Sequence, residues 1–216
     1  MKAKKTEMYL RWVMLAVVGM VLGSAIHVQA AAPSGVLKQA IHWGISADWL
    51  DPATGGHAST GHLTLYLFHD ALVKPMPEGN FAPCLAESYS ISPDAKTYEF
   101  KLRTGVKFHN GDVMTAEDVV FSFWRYKAGQ AKFIHERTEK VEAVNHHLVR
   151  FHFKEPFPDF LEYLAPGVST IQWVVPKKYV ERVGEAGFKK NPIGCGPYKF
   201  VEFVAGVKLV GEAFED

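Results

Sequence analysis

The sequence predicts a mixed α/β fold of the α+β kind, and three observations lead to it. Tyr98, Phe100 and Leu102 alternate with Glu99, Lys101 and Arg103, the period-2 pattern of a strand with one face on a core and one in water. The period then changes. Thr115 with Asp118 three residues later is a helix N-cap signature, and Val119, Val120, Phe123 and Trp124 follow on one helical stripe. A second alternation, Val149, Phe151 and Phe153 against Arg150 and His152, returns to strand.

Taken in chain order, Val36 to Ile45 is apolar-rich and reads as a first strand, which Trp49, Leu50, Asp51 and Pro52 stop. Ser59 or Thr60 caps a helix through about Asp70, with Leu63, Tyr66 and Leu67 on its inner face. Ala71 to Val73 lead into a loop at Pro75 and Pro77. Ser92, Pro93 and Asp94 form a turn, because Pro presets φ and Asp bonds the backbone two residues on. This predicts a hairpin of Ser88–Ile91 with Thr97–Leu102. The capped helix runs to about Lys127. Lys140–Val144 and Leu148–Phe153 form a second hairpin that bends at Asn145, His146 and His147. A short helix at Pro158–Leu164 and a helix at Lys177–Val183 follow, with Trp173–Pro176 between them, a strand by the resemblance given below. A tight turn then leads into strands at Lys199–Val204 and Lys208–Val210.

One order of residues is shared with a known family. Leu85, Ala86, Glu87 and Ser88, then Ser92, Asp94, Phe100, Leu102 and Arg103, then Phe108, Asn110 and Gly111, then Thr115, Ala116, Asp118 and Val119 resemble the solute-binding proteins, family 5, of ABC importers. Those proteins carry peptides, dipeptides, nickel and similar cargo. The Leu50-Asp51-Pro52 step matches too, as does Asn191 to Tyr198, with Tyr89 where the family more often has Trp and Cys195 where it usually has Thr. The resemblance implies a periplasmic-binding-protein-like type II fold, of which this chain would supply the first lobe. Residues 31–60 and 169–216 would form a discontinuous base domain, and residues 61–168 an inserted α+β domain. It also implies that the loop at Thr54, Gly55, Gly56, His57 and Ala58 gives backbone contacts to cargo, an ordinary connector being the other reading of the same glycines. The implied partners are a small-molecule or peptide ligand and a membrane permease. The Gly194-Cys195-Gly196 turn is expected to be a structural corner, since flanking glycines mark unusual φ or a crowded neighbour.

Lys2, Lys4, Lys5 and Arg11 precede a run with no charge from Trp12 to Leu37, and Val28-Gln29-Ala30 gives a small-x-small ending. Residues 1–30 are therefore expected to be a secretory signal peptide and the protein periplasmic, an uncleaved membrane anchor being the rival reading. Removing them takes four basic residues from 24 and one acidic residue from 23, which leaves 20 against 22 and a net charge of −2. That balance excludes nucleic acid as the partner. The remaining 186 residues, in a chain 48% apolar, suffice for one or two small domains with real cores.

No assembled catalytic or cofactor motif is present: the chain lacks a GxSxG elbow, a Walker loop, HExxH, CxxC and a dinucleotide fingerprint. The reading that the resemblance implies is a binding protein, with no cofactor and no metal site expected. A small secreted hydrolase or metal-binding protein is the alternative, using His109, Asp112 and Glu117 brought together in space. His57, His62 and His69 are spaced too widely to be paired helical ligands, which come three or four residues apart. Cys84 and Cys195 are expected to be free thiols, because they fall in different predicted domains and a disulfide needs Cα atoms within about 7 Å.

Overall fold

Alternation and turn chemistry at residues 86–153 build the main sheet of the molecule. The structure is a computed structural model that describes residues 35–41, 44–54, 64–77, 79–127, 130–164 and 173–215. Residues Met1–Ile41 and His42–Asp216 are separate units. In the first, residues 35–41 are without regular structure, and Val36 and Leu37 are exposed. The strand expected at Val36–Ile45 is therefore not formed among its described residues. An apolar run becomes a strand only where a neighbour accepts its ladder, and no described residue pairs with it.

In the second unit, strands β1 (Val73–Met76) and β2 (Gly79–Pro83) form a two-stranded hairpin. The sequence reading had a loop here, taking Pro75 and Pro77 as breakers. Pro75 is accommodated because the register slips between Lys74 and Met76, so its missing N–H falls at an irregularity of the ladder. Strands β3 (Ala86–Ile91), β4 (Thr97–Leu102), β5 (Thr138–Asn145) and β6 (Leu148–Phe153) form an antiparallel sheet in the order β3-β4-β6-β5. Both expected hairpins are present. At the first turn Ser92 Oγ donates to Asp94 Oδ1 (2.6 Å), and that carboxylate also accepts the Lys96 N–H (3.1 Å).

The inner face of the sheet is Tyr98, Phe100, Leu102, Val149, Phe151 and Phe153, all buried. Against it pack α2 (Ala116–Arg125), α3 (Ala131–Arg137) and α4 (Phe160–Leu164), the short α1 (Tyr66–Phe68) lying earlier in the chain. Ring contacts run through this core edge to face, Phe123 on Phe151 at 5.3 Å and Phe153 on Phe160 at 4.6 Å. The outer face is charged. Arg150 pairs with Glu99 (2.6 Å) and His152 with Glu142 (3.1 Å) across neighbouring strands.

Differences from the sequence reading have local causes. Helix α2 ends at Arg125, and Trp124 is 44% exposed rather than on the core stripe, because Asp118, Ser122 and Arg125 take the adjoining buried positions. In α1 the inward residues are Leu65 and Phe68 in place of Tyr66 and Leu67, and the helix stops one residue before His69, whose backbone is extended. The N-terminal part of that helix, with Leu63, lies outside the described residues. Helix α3 has no expected counterpart. It has only seven residues and no side-chain cap, so tertiary contacts hold it: His135 Nε2 against Phe123 O (2.8 Å) and the Phe133 ring 6.2 Å from that of Phe157. The expected strand at Trp173–Pro176 is reduced to one bridge, Ala71 with Trp173, because α2 side chains take up the backbone groups beyond it. Helix α5 (Lys177–Lys190) runs seven residues past its expected end, through a kink at Gly184 (φ 71°). Strands β7 (Tyr198–Val204) and β8 (Lys208–Ala213) close the described chain as an antiparallel hairpin.

Candidate functional site

Of the predicted ligand loop, Thr54–Ala58, the structure describes Thr54, which ends a stalk, Ala47–Thr54, shaped by its own residues. Ser46 Oγ accepts the Asp48 N–H (3.3 Å) and starts a 3-10 turn over Ala47–Leu50. Asp51 reaches past buried Pro52 to accept the Ala53 N–H on Oδ1 (2.9 Å), an Asx turn that Pro52 presets. Thr54 donates its N–H to Asp51 O (3.1 Å) and its hydroxyl to Asp48 O (3.2 Å). Both of its donors are thus engaged within the stalk. Gly55, Gly56, His57 and Ala58 lie outside the described residues, as does His62.

Five bonds fasten this stalk to the rest of the fold. The Arg125 guanidinium grips Asp51 with two parallel bonds, Nη1 to Oδ1 and Nη2 to Oδ2, both 2.6 Å. The pair is sealed from water, the side chains being 6% and 0% exposed. His69 Nε2 lies 3.3 Å from Leu50 O, and Lys127 donates its N–H to Ala53 O (3.1 Å). Lys189 on α5 reaches Asp48 at 2.6 Å.

Arg125 belongs to a polar stripe at i, i+4 and i+7 along α2, made with Asp118 and Ser122. Asp118 Oδ2 accepts the Thr115 N–H (2.8 Å) and hydroxyl (3.0 Å), and its Oδ1 accepts the Lys177 N–H (2.9 Å) that opens α5. One carboxylate therefore serves two helix starts. Ser122 Oγ donates to Asp118 O (2.7 Å) and accepts the Val175 N–H (2.9 Å). The stripe thereby fixes the returning segment before α5 as well as the stalk.

The Gly194-Cys195-Gly196 turn is held from two sides. His109 Nε2 lies 2.9 Å from Gly196 O, and the Gly194 N–H points at His109 Nδ1 (3.3 Å). This places the proton on Nε2 and keeps the ring neutral, and burial lowers its pKa. On the other side Gly196 donates its N–H to Phe68 O (3.0 Å). A Cβ on Gly194 would lie 2.0 Å from Phe68 O and 2.4 Å from His69 Nδ1, and one on Gly196 would lie 2.6 Å from His69 N. The glycines are needed for close backbone approach, as the structural-corner reading expects. His69 itself is buried, and desolvation lowers its pKa to about 3.

The residues of the hydrolase alternative each have separate partners. His109 is committed to the turn, Asp112 accepts from Asn110 Nδ2 (2.7 Å), and Glu117 faces Lys177 (3.5 Å). Among the described residues no group of three metal-ligating side chains gathers, and no helix is long and apolar enough to cross a membrane. Both cysteines are free. Each lies beside Asp70. Burial pushes the Cys84 thiol up to about 11 and raises that of Cys195 further, so both stay protonated and unreactive.

Sequence reasoning found the stalk through its Leu-Asp-Pro step but missed Arg125 and His69. A signal for Arg125 was present: Asp118, Ser122 and Arg125 repeat at helical spacing beside the apolar stripe. His69 carried none, because its role rests on a carbonyl 19 residues away.

The architecture is an α+β platform with the stalk Ala47–Thr54 fastened to it through Arg125, His69 and Lys127. The chain belongs to the bacterial extracellular solute-binding proteins, family 5, whose model (the family's middle region) matches residues 80–216. It is 31% identical over 176 residues to di/tripeptide-binding protein 2 of Pseudomonas aeruginosa, covering 71% of this chain and 33% of that protein. Among solved structures it resembles Haemophilus influenzae OppA in complex with the peptide RPPGFSPFR, with a TM-score of 0.67, 28% identity, and coverage of 77% of this chain and 36% of that one. It likewise resembles the binding protein AgaA of Agrobacterium ("A.tumefacien R10") in complex with agropinic acid, with a TM-score of 0.65, 27% identity, and coverage of 80% and 34%. The chain thus spans about a third of the length of these relatives.

Proposed function

We propose that this chain is the first lobe of the solute-binding component of an ABC-type importer. It captures a peptide or similar small solute outside the cytoplasmic membrane for delivery to a permease, and makes or breaks no bond. Residues 1–30 direct export to the periplasm as a signal peptide. Residues 31–60 with 169–216 form the base domain, and residues 61–168 the inserted domain. Ligand contacts come from the backbone of Thr54, Gly55, Gly56, His57 and Ala58, glycines there letting a ligand approach closely.

The observation that carries this reading is the stalk, which brings the chain to Thr54 on a mount fixed by Arg125, His69, Lys127 and Lys189. A ligand contact made by backbone atoms needs such a mount, because a loop that must be ordered on binding loses affinity to entropy. A single lobe offers one wall of a cleft, so binding by this chain alone is weak. Its test is amide chemical-shift mapping with a pool of di- and tripeptides. Millimolar peptide should shift the amides of residues 54–58 and leave β3 to β6 unmoved. No shift in that loop at saturating peptide would overturn the assignment.

A further inference from the structure

We propose that Asp51 and Arg125 form a positioning pair, which sets the direction in which the chain leaves the stalk at Thr54 and adds little net stability. The inference rests on the reading of residues 54–58 as the ligand loop and adds to it the device that orients that loop. Its first support is the pair's cost. Two opposite charges at 2.6 Å, with side chains 0% and 6% exposed, have each lost hydration, and their attraction does little more than repay it. An apolar pair of similar volume would hold the same elements together equally well. A planar guanidinium on a carboxylate adds what an apolar contact lacks, a fixed angle and a fixed register.

The second support is how that angle reaches the loop. Asp51 Oδ1 accepts from Arg125 Nη1 and also from the Ala53 N–H (2.9 Å), so the oxygen that reads the guanidinium also sets the backbone one residue before Thr54. The flanking carbonyls, Leu50 O and Ala53 O, are each taken by a group outside the stalk. Three of the four residues that precede Thr54 are thereby tied to α2, to its C-terminal extension or to His69. The guanidinium is itself immobilised, lying 5.0 Å over the Phe188 ring, while its Nε has no partner among the described residues. A group placed for stability alone would have that donor satisfied, whereas one placed for orientation needs only the fork.

The test compares the wild-type chain with Arg125→Lys and with the double variant Asp51→Leu, Arg125→Met, reading melting temperature, residue-resolved amide exchange and peptide-induced shifts. The double variant should melt with the wild type while the Ala53 and Thr54 amides exchange about tenfold faster or more, with β4 and β6 unchanged. Its peptide-induced shifts at residues 54–58 should shrink, and Arg125→Lys should lie between the two. Unchanged exchange at Ala53 and Thr54 would overturn the proposal. So would exchange rising equally across the sheet with a lowered melting temperature, since that marks an ordinary core contact. If the wild type shows no peptide-induced shift, the ligand reading fails, while the exchange comparison still decides whether the pair orients the stalk.

Discussion

Helix α2 has two buried faces that do different work. Val119 and Phe123 sit on the sheet among aromatic rings, while Asp118, Ser122 and Arg125, at neighbouring positions of the same ten residues, hold the backbone of the returning segment and the stalk Ala47–Thr54. The apolar face is non-directional, and any side chain of similar volume that fills the space satisfies it. Directional bonds dominate the polar face, where each group is matched to particular atoms of its neighbours. The apolar contact makes the lobe fold, and the polar contacts decide where its loops point.

Breaking the apolar side should give an effect as large as that of any single substitution. Phe123→Ala removes a ring packed on Phe151 and should cost about 3–5 kcal/mol in denaturant unfolding, with the whole sheet lost cooperatively.

A smaller effect is expected from acid. His69 is neutral in the folded chain with a pKa near 3, against about 6.5 when unfolded, so below pH 6.5 the unfolded state binds a proton that the folded state does not. Stability from His69 is therefore complete above pH 6.5 and falls as pH drops toward 3, by at most about 1.4 kcal/mol per unit. Urea midpoints measured across that range should fall more steeply for the wild type than for His69→Gln. The smallest effect is at Ser122, whose hydroxyl serves Val175. Ser122→Ala should cost about 1 kcal/mol and speed exchange at the Val175 amide, with the sheet core unmoved.

The same division explains what the sequence made legible. Strand alternation at Tyr98–Leu102 and Val149–Phe153, the Ser92-Pro93-Asp94 turn and the Thr115/Asp118 box are local signals, and each element they specify is present. The strand expected at Trp173–Pro176 failed because its neighbours are side chains rather than a ladder. Helix α3 was invisible because its support is tertiary, and Pro75 concealed β1 because a bulge tolerates what a regular ladder would not. At the site, Leu50-Asp51-Pro52 marked the stalk, but its partner Arg125 lies 74 residues away and no local pattern joins them. The assignment of residues 54–58 rests on resemblance, with the mount as its physical support.

The claim that the polar face orients rather than stabilises is tested most directly by a double-mutant cycle between Asp51 and Arg125, followed by chemical denaturation. Asp51→Leu or Arg125→Met alone strands a buried charge and should cost about 3–5 kcal/mol, whereas the two together should return to within about 1 kcal/mol of the wild type. Losses that add, leaving the double variant less stable than either single one, would contradict the account and make the pair a structural contact like those of the apolar face.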